Sequence, residues 1–192
     1  MRLKPIENPR GLRTRIAYAI NRRLFGRVIT PTKVVMARVP ASLPIYQQIT
    51  RFMTRKMGLD PSLALLIQAY TAGKNKCGFC VDITRSFAAH DAALLEKMWR
   101  VNDFADDPLF SDAERSALTY VASVTNDRDT TDTIFAELRH FYSEAEIVEI
   151  TLVNAIEHFY NLVNRPLGIE SDGLCAVRPR GLEAHPTPQE GH

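Results

Sequence analysis

The residues of this chain that are best suited to chemistry are two cysteines, Cys77 and Cys80, in the run Lys-Cys-Gly-Phe-Cys-Val-Asp. Two thiols separated by two residues and entering a helical stretch can form a disulfide with each other. One thiolate can attack a peroxide O–O bond or another disulfide, and the second thiol can then resolve the product. If a helix begins just before Cys77, its unpaired N–H groups and its dipole favour the thiolate form.

Two other interpretations of the cysteine pair stay open on the pattern alone. Both side chains could be small hydrophobic groups packed in a core helix. A zinc site is weakly supported, because no second Cys-x-x-Cys or His-x-His follows at a suitable spacing, so we expect no metal and no cofactor. The third cysteine, Cys175, is distant. An odd cysteine count and the lack of an apolar leader or membrane-spanning run predict a cytoplasmic protein.

The charge is divided unevenly along the chain. Residues 1–58 contain 13 lysines and arginines and one acidic residue, whereas residues 59–192 contain 11 basic and 21 acidic residues. This asymmetry favours a basic arm that lies on the acidic body of its own chain or of a neighbouring subunit. An anionic membrane surface is the second interpretation, because the segment from Leu12 to Ile29 mixes arginines with apolar residues. We expect no nucleic-acid partner, since no recognisable reading module is present.

The apolar spacing predicts an all-α chain, because no alternating pattern typical of strands appears. Asp60 and Pro61 are typical of a helix N-terminus, and Ser111–Glu114 and Ser143–Glu146 are capping boxes. The predicted helices cover approximately residues 12–25, 45–57, 63–72, 75–90, 92–101, 111–125, 131–141 and 143–164.

The segment from Asp60 to about Gly168 resembles the carboxymuconolactone decarboxylase and AhpD-like alkylhydroperoxidase family. The motifs that carry the resemblance are Asp60-Pro61 before an apolar helix, Asn75–Ile83 around the cysteines, Asp107–Leu118, and Phe141–Thr151 with its closing stretch. The resemblance implies an all-helical bundle with the Cys-x-x-Cys at a helix N-terminus. It also implies a homo-oligomer, which would be a trimer, a multiple of a trimer or a dimer.

These observations predict three segments. Residues 1–58 form a basic helical N-terminal extension packed on the body, residues 59–170 form the AhpD-like helical domain, and residues 171–192 form an irregular C-terminal tail. The basic extension leaves contact with a membrane surface as an open alternative.

The chain departs from the peroxidase pattern at two positions that matter for proton transfer. Thiol enzymes of this family place a histidine four residues after the second cysteine, where this chain has Thr84, and a glutamate about a dozen residues before the first, where it has Leu65. Neither residue can act as a base near neutral pH. Among the substitutes, His158, which follows Glu157 on the last helix, is the better candidate. Thr84 remains a candidate through hydrogen bonding.

The resulting hypothesis is a thiol-dependent peroxidase or disulfide oxidoreductase. By resemblance Cys80 is the attacking sulfur and Cys77 the resolving one, with His158 and Thr84 as auxiliary residues. The substrate would be a small hydroperoxide or the disulfide of a partner, and a thiol reductant would restore the dithiol. The alternatives are a non-enzymatic helical oligomer that retains the scaffold and, more weakly supported, a lactone decarboxylase.

Overall fold

The fold was determined as a computed structural model, which describes residues 1–175. These residues form eight α-helices and, among them, no strand, so the predicted all-α class is confirmed. Residues 176–192, which belong to the predicted tail, lie outside the described residues. The helices are α1 (Leu12–Phe25), α2 (Leu43–Arg55), α3 (Pro61–Lys74), α4 (Gly78–Phe87), α5 (Ala92–Arg100), α6 (Asp112–Asp127), α7 (Asp132–Phe141) and α8 (Glu144–Asn164).

The helices of the body begin where local capping chemistry directs them. Asp60 accepts a hydrogen bond from the backbone N–H of Leu63 at 3.0 Å, and Pro61 occupies the first helical position of α3. Both predicted capping boxes form, at Ser111 before α6 and at Ser143 before α8. Each box satisfies N–H groups that a helix start otherwise leaves unpaired.

The centre of the body is α3, which packs against α4, α5, α6 and α8. Its sequence is apolar on nearly every side, and nine consecutive or near-consecutive side chains between Leu63 and Ala72 are buried. A helix that is apolar all round is stable in water only when other elements cover it completely. The last helix, α8, is the longest, and it lies along α3.

One helix begins later than the sequence suggests. We predicted a helix from about residue 75 to residue 90, whereas α4 runs over Gly78–Phe87. Lys76 adopts a positive φ of 54°, a left-handed conformation that a right-handed helix cannot include. The turn at Lys76 makes Cys77 the N-cap of α4 and puts Cys80 in its first turn.

The N-terminal residues reach the body through apolar contacts and through hydrogen bonds. Ile29 and Val34 belong to a second buried cluster that also contains the two cysteines and Ile169. Within the described residues, the basic side chains of residues 1–58 make one ion pair, between Lys33 and Glu7 of the same segment. No helix in residues 1–175 combines the length and the apolar content needed to cross a bilayer.

Candidate active site

Cys77 and Cys80 are joined by a disulfide at the N-terminus of α4. Their Cα atoms lie 5.3 Å apart, within the range that a disulfide requires. The turn that precedes them is held by a 2.9 Å hydrogen bond from the N–H of Cys77 to the carbonyl of Ala72. Both side chains are buried, with 0% and 2% of their surface exposed.

A row of buried polar side chains runs along the inner face of α8. The spacing of three and four residues puts its members on one side of the helix. The row consists of Asn154, Glu157, Asn161 and Asn164. Its last member reaches the disulfide, because the Nδ2 amide of Asn164 donates to Sγ of Cys80 at 3.5 Å. An N–H donor in this position favours a thiolate on Cys80 over a thiol.

Glu157 is the ionisable member of this row. Its side chain is only 3% exposed, and burial raises the pKa of Glu157 to about 7. The Nδ2 amide of Asn161 donates a hydrogen bond to Oε1 of Glu157 at 2.6 Å. This bond favours the charged carboxylate and so lowers the pKa of Glu157, but by less than burial raises it. A carboxyl group with a pKa near neutrality can both accept and release a proton under physiological conditions.

Asn75 connects the row on α8 to the turn that carries the cysteines. Its Nδ2 amide donates to Oδ1 of Asn161 at 2.7 Å and lies 3.0 Å from Nδ1 of His158. Asn75 is two residues before Cys77, so the asparagine of the sequence motif positions the cysteine turn against α8. Glu157 is therefore linked to the cysteine segment through Asn161 and Asn75.

His158, the predicted auxiliary base, faces this network from its outer side. Its Nε2 lies 3.3 Å from the guanidinium of Arg128, while the amide of Asn75 approaches the other ring nitrogen. Burial, and secondly the charge of Arg128, lower the pKa of His158 below its usual range. The imidazole is thus held in its neutral form, and it orients Asn75.

The residues at the two positions that depart from the family pattern, Thr84 and Leu65, make no polar contact with the cysteines in the described part of the chain, and neither do Gln68 and Tyr70 of α3. Thr84 is buried in α4 one turn beyond Cys80, and Leu65 packs on the main core. Gln68 donates to the sulfur of Met53, and Tyr70 packs its ring edge-on against Phe104.

Two segments cover the disulfide, and we refer to residues 27–36 and 167–175 together as the cover. Ile29 and Val34 of the first segment and Ile169 of the second pack around the sulfurs. The segments are joined to each other by Asp172. The Asp172 carboxylate accepts two hydrogen bonds from Thr30, one from the backbone N–H at 2.7 Å and one from the side-chain hydroxyl at 2.6 Å.

Asp82 fastens the cover to α4. Its carboxylate accepts backbone hydrogen bonds from Leu174 at 2.9 Å and from Cys175 at 2.8 Å. Asp82 is only 9% exposed, because the C-terminal segment lies over it. The signal that could have identified these residues is a set of polar side chains on helix faces that are otherwise apolar.

The helical body with a buried Cys-x-x-Cys at the start of a helix is an AhpD-like fold. Solved structures share this fold. A peroxidase-related protein of Silicibacter sp. TM1040 superposes with a TM-score of 0.79 at 16% identity, over 91% of this chain and 93% of that protein. The Agrobacterium tumefaciens protein ATU0492, described as a putative antioxidant defence protein AhpD, gives 0.66 at 23% identity, over 71% and 94%.

A third solved structure shares the fold and carries a different activity. It is a cysteine-to-alanine variant of the debrominase Bmp8 in complex with 2,3,4-tribromopyrrole, with a TM-score of 0.77 and 16% identity over 91% of this chain and 93% of that protein. No family model matches the sequence.

A relative found by sequence comparison shows the family to which the chain belongs. YnjA, an uncharacterized protein of Escherichia coli strain K12, is 30% identical over 161 residues, which cover 82% of this chain and 87% of YnjA. The chain therefore belongs to the family of YnjA, with the AhpD-like fold that its sequence motifs predicted.

Proposed function

We propose that this protein is a thiol-dependent oxidoreductase that reduces hydroperoxides or partner disulfides through Cys77 and Cys80. The proposal rests on one observation: Cys77 and Cys80 form a disulfide at the first turn of α4, and the Asn164 amide donates a hydrogen bond to Sγ of Cys80. The amide and the helix N-terminus both favour a thiolate on Cys80. Cys80 is accordingly the attacking sulfur and Cys77 the resolving one.

The reaction with a hydroperoxide balances in two steps. The Cys80 thiolate attacks the O–O bond, so that an S–O bond forms, the O–O bond breaks and Cys80 becomes a sulfenic acid. The departing alkoxide takes up the proton that Cys80 had released and leaves as the alcohol. The Cys77 thiol then attacks that sulfur, which releases water and forms the disulfide. An external dithiol reduces the disulfide by thiol exchange and returns both cysteines to the reduced state.

Glu157 replaces the family's missing glutamate and histidine as the proton acceptor in this proposal. Its pKa of about 7 suits proton transfer at neutral pH. Glu157 lies seven residues from Asn164, about 10 Å along α8, which is farther than one water molecule can bridge. The proton released by Cys80 would therefore reach Glu157 over a chain of several hydrogen bonds, along the polar row that includes Asn161. His158 supports the network by holding Asn75.

The test uses the reduced full-length protein with cumene hydroperoxide, dithiothreitol as reductant and mass spectrometry of the cysteines. We expect the wild-type chain to form the Cys77–Cys80 disulfide and consume hydroperoxide. Cys77→Ser should accumulate a sulfenic acid on Cys80, Cys80→Ser should be inactive, and Cys175→Ser serves as the matched control.

Two results would contradict the proposal. The proposal is rejected if the reduced cysteines of the wild-type chain react with hydroperoxide and with a disulfide substrate no faster than free cysteine. A parallel assay with a brominated pyrrole is included because a debrominase shares the fold. Turnover of that compound alone would reject hydroperoxides and disulfides as substrates.

A further inference from the structure

The outer face of α8 carries an exposed apolar stripe. This face is opposite the polar row that meets the disulfide. Three of its side chains are strongly exposed: Val148 at 57%, Leu152 at 42% and Leu162 at 71%. The stripe consists of the exposed residues Ala145, Val148, Leu152, Ala155 and Leu162 together with Phe159, which is half-buried and packs its ring against Tyr46 of α2. Isolated exposed apolar residues are ordinary on protein surfaces, but a continuous stripe along a 21-residue helix indicates an interaction surface.

The spacing of the stripe identifies the kind of partner. Successive members are three, four, three, four and three residues apart, which is the repeat by which two helices pack along a common seam. The order of these spacings is the same whether the helix is followed from its N-terminus or from its C-terminus. A surface with this property can pair with itself across a two-fold axis, as symmetric dimers require.

We propose that α8 pairs antiparallel with α8 of a second copy of this chain, across an axis that passes between Val153 and Asn154. In this arrangement Ala145 faces Leu162 of the second copy, and Leu152 faces Ala155. Small residues meet large ones in both layers, so the side chains interdigitate. A parallel pair would put alanine against alanine and leucine against leucine.

The charges at the ends of α8 select the same orientation. Glu144 precedes the stripe with a side chain that is 87% exposed, and the exposed Arg165 follows it. Antiparallel pairing brings the glutamate of each copy beside the arginine of the other. Parallel pairing would bring like charges together at both ends, which is unfavourable.

The second exposed apolar row of the structure fits this seam poorly. It lies on α1 and consists of Leu12, Ile16, Ile20 and Leu24. Its members are all four residues apart, so the row turns about 120° around the helix over its length and forms no straight seam. The α1 row therefore provides a matched control for the α8 stripe.

The first test is the oligomeric mass of the oxidised full-length protein at tens of micromolar, measured by light scattering after size-exclusion chromatography. We expect Leu152→Glu to halve the wild-type mass, with a dissociation constant raised on the order of 100-fold because two carboxylates enter an apolar seam. Leu12→Glu, which alters a leucine of α1 that is 72% exposed, should leave the mass unchanged. Circular dichroism and the melting temperature establish that each variant is folded.

A second test fixes the orientation by bismaleimide cross-linking in a Cys175→Ser background. A mixture of Leu152→Cys and Ala155→Cys chains should cross-link several times more efficiently than either variant alone. Equal cross-linking within each single variant would indicate a parallel pair and overturn the proposal. A monomeric wild-type chain, a Leu152→Glu variant of unchanged mass, or dissociation by Leu12→Glu instead would also overturn it. None of these outcomes depends on thiol activity.

Discussion

The buried carboxyl group of Glu157 predicts a specific dependence of stability on pH. Its pKa is raised from an ordinary 4.5 to about 7 in the folded protein. Between these two values the folded chain keeps a proton on Glu157 that the unfolded chain has lost. The free energy of unfolding therefore falls as the pH rises from about 4.5 to about 7 and loses nothing further from this group at higher pH.

The size of the effect follows from the two pKa values. The rise from 4.5 to about 7 corresponds to about 3 kcal/mol of unfolding free energy, taken as an order of magnitude. Glu157→Gln removes the titration and keeps an Oε1 atom that can accept the hydrogen bond from Asn161. We expect this variant to be about 3 kcal/mol more stable than the wild-type chain at pH 8 and nearly equal to it at pH 4.5.

The assay is urea denaturation of the oxidised protein between pH 4.5 and pH 8, followed by circular dichroism. Glu137→Gln is the matched control, since it makes the same chemical change at an exposed side chain of α7, away from the proposed α8 seam. Its difference from the wild-type chain should stay small and constant over this range. If the difference between Glu157→Gln and the wild-type chain is the same at pH 5 and pH 8, the assignment of a raised pKa to Glu157 is wrong.

Two further predictions concern the disulfide itself. Asp172→Ala removes the acceptor of two hydrogen bonds from Thr30, each worth about 1 kcal/mol or more, so dithiothreitol should reduce the disulfide roughly tenfold faster. The rate is followed by alkylation of released thiols, with Asp103→Ala as the exposed control; equal rates in all three proteins would exclude the cover as a barrier. Asn164→Leu removes the N–H donor to Cys80 Sγ and should raise the pKa of the reduced Cys80 thiol by about one unit. The pH dependence of iodoacetamide labelling measures that pKa, with Asn102→Leu as control, and an unchanged midpoint would contradict a role for the amide.

The sequence predicted the helices well because their boundaries depend on nearby residues. The capping boxes at Ser111 and Ser143 and the Asp60-Pro61 pair act over three or four positions, and all three start helices as expected. The start of α4 was predicted three residues too early, since the left-handed turn at Lys76 is not signalled by its residue type.

The candidate site was only partly predictable, because its contacts join distant parts of the chain. Asp172 meets Thr30 across 142 positions, and Asp82 meets Leu174 across 92. No local pattern encodes such pairings. Glu157 was within reach of the sequence argument, because the spacing from Asn154 to Asn164 puts polar groups on one face of α8. His158 was preferred there as the conventional base, but the structure holds its ring against Arg128.

The position of the covalent bond argues for chemistry rather than for structural reinforcement. A disulfide stabilises a fold mainly by closing a long loop in the unfolded chain, and a closure over three residues is worth only about 2 kcal/mol in that model. The long closures in this protein are made by hydrogen bonds, such as those that Thr30 and Arg27 donate to Asp172 and the one from Arg2 to Leu167. Hydrogen bonds can open and re-form without a reductant. The covalent bond thus closes a single helical turn, while the segments that cover it are held by contacts that can open without a reductant.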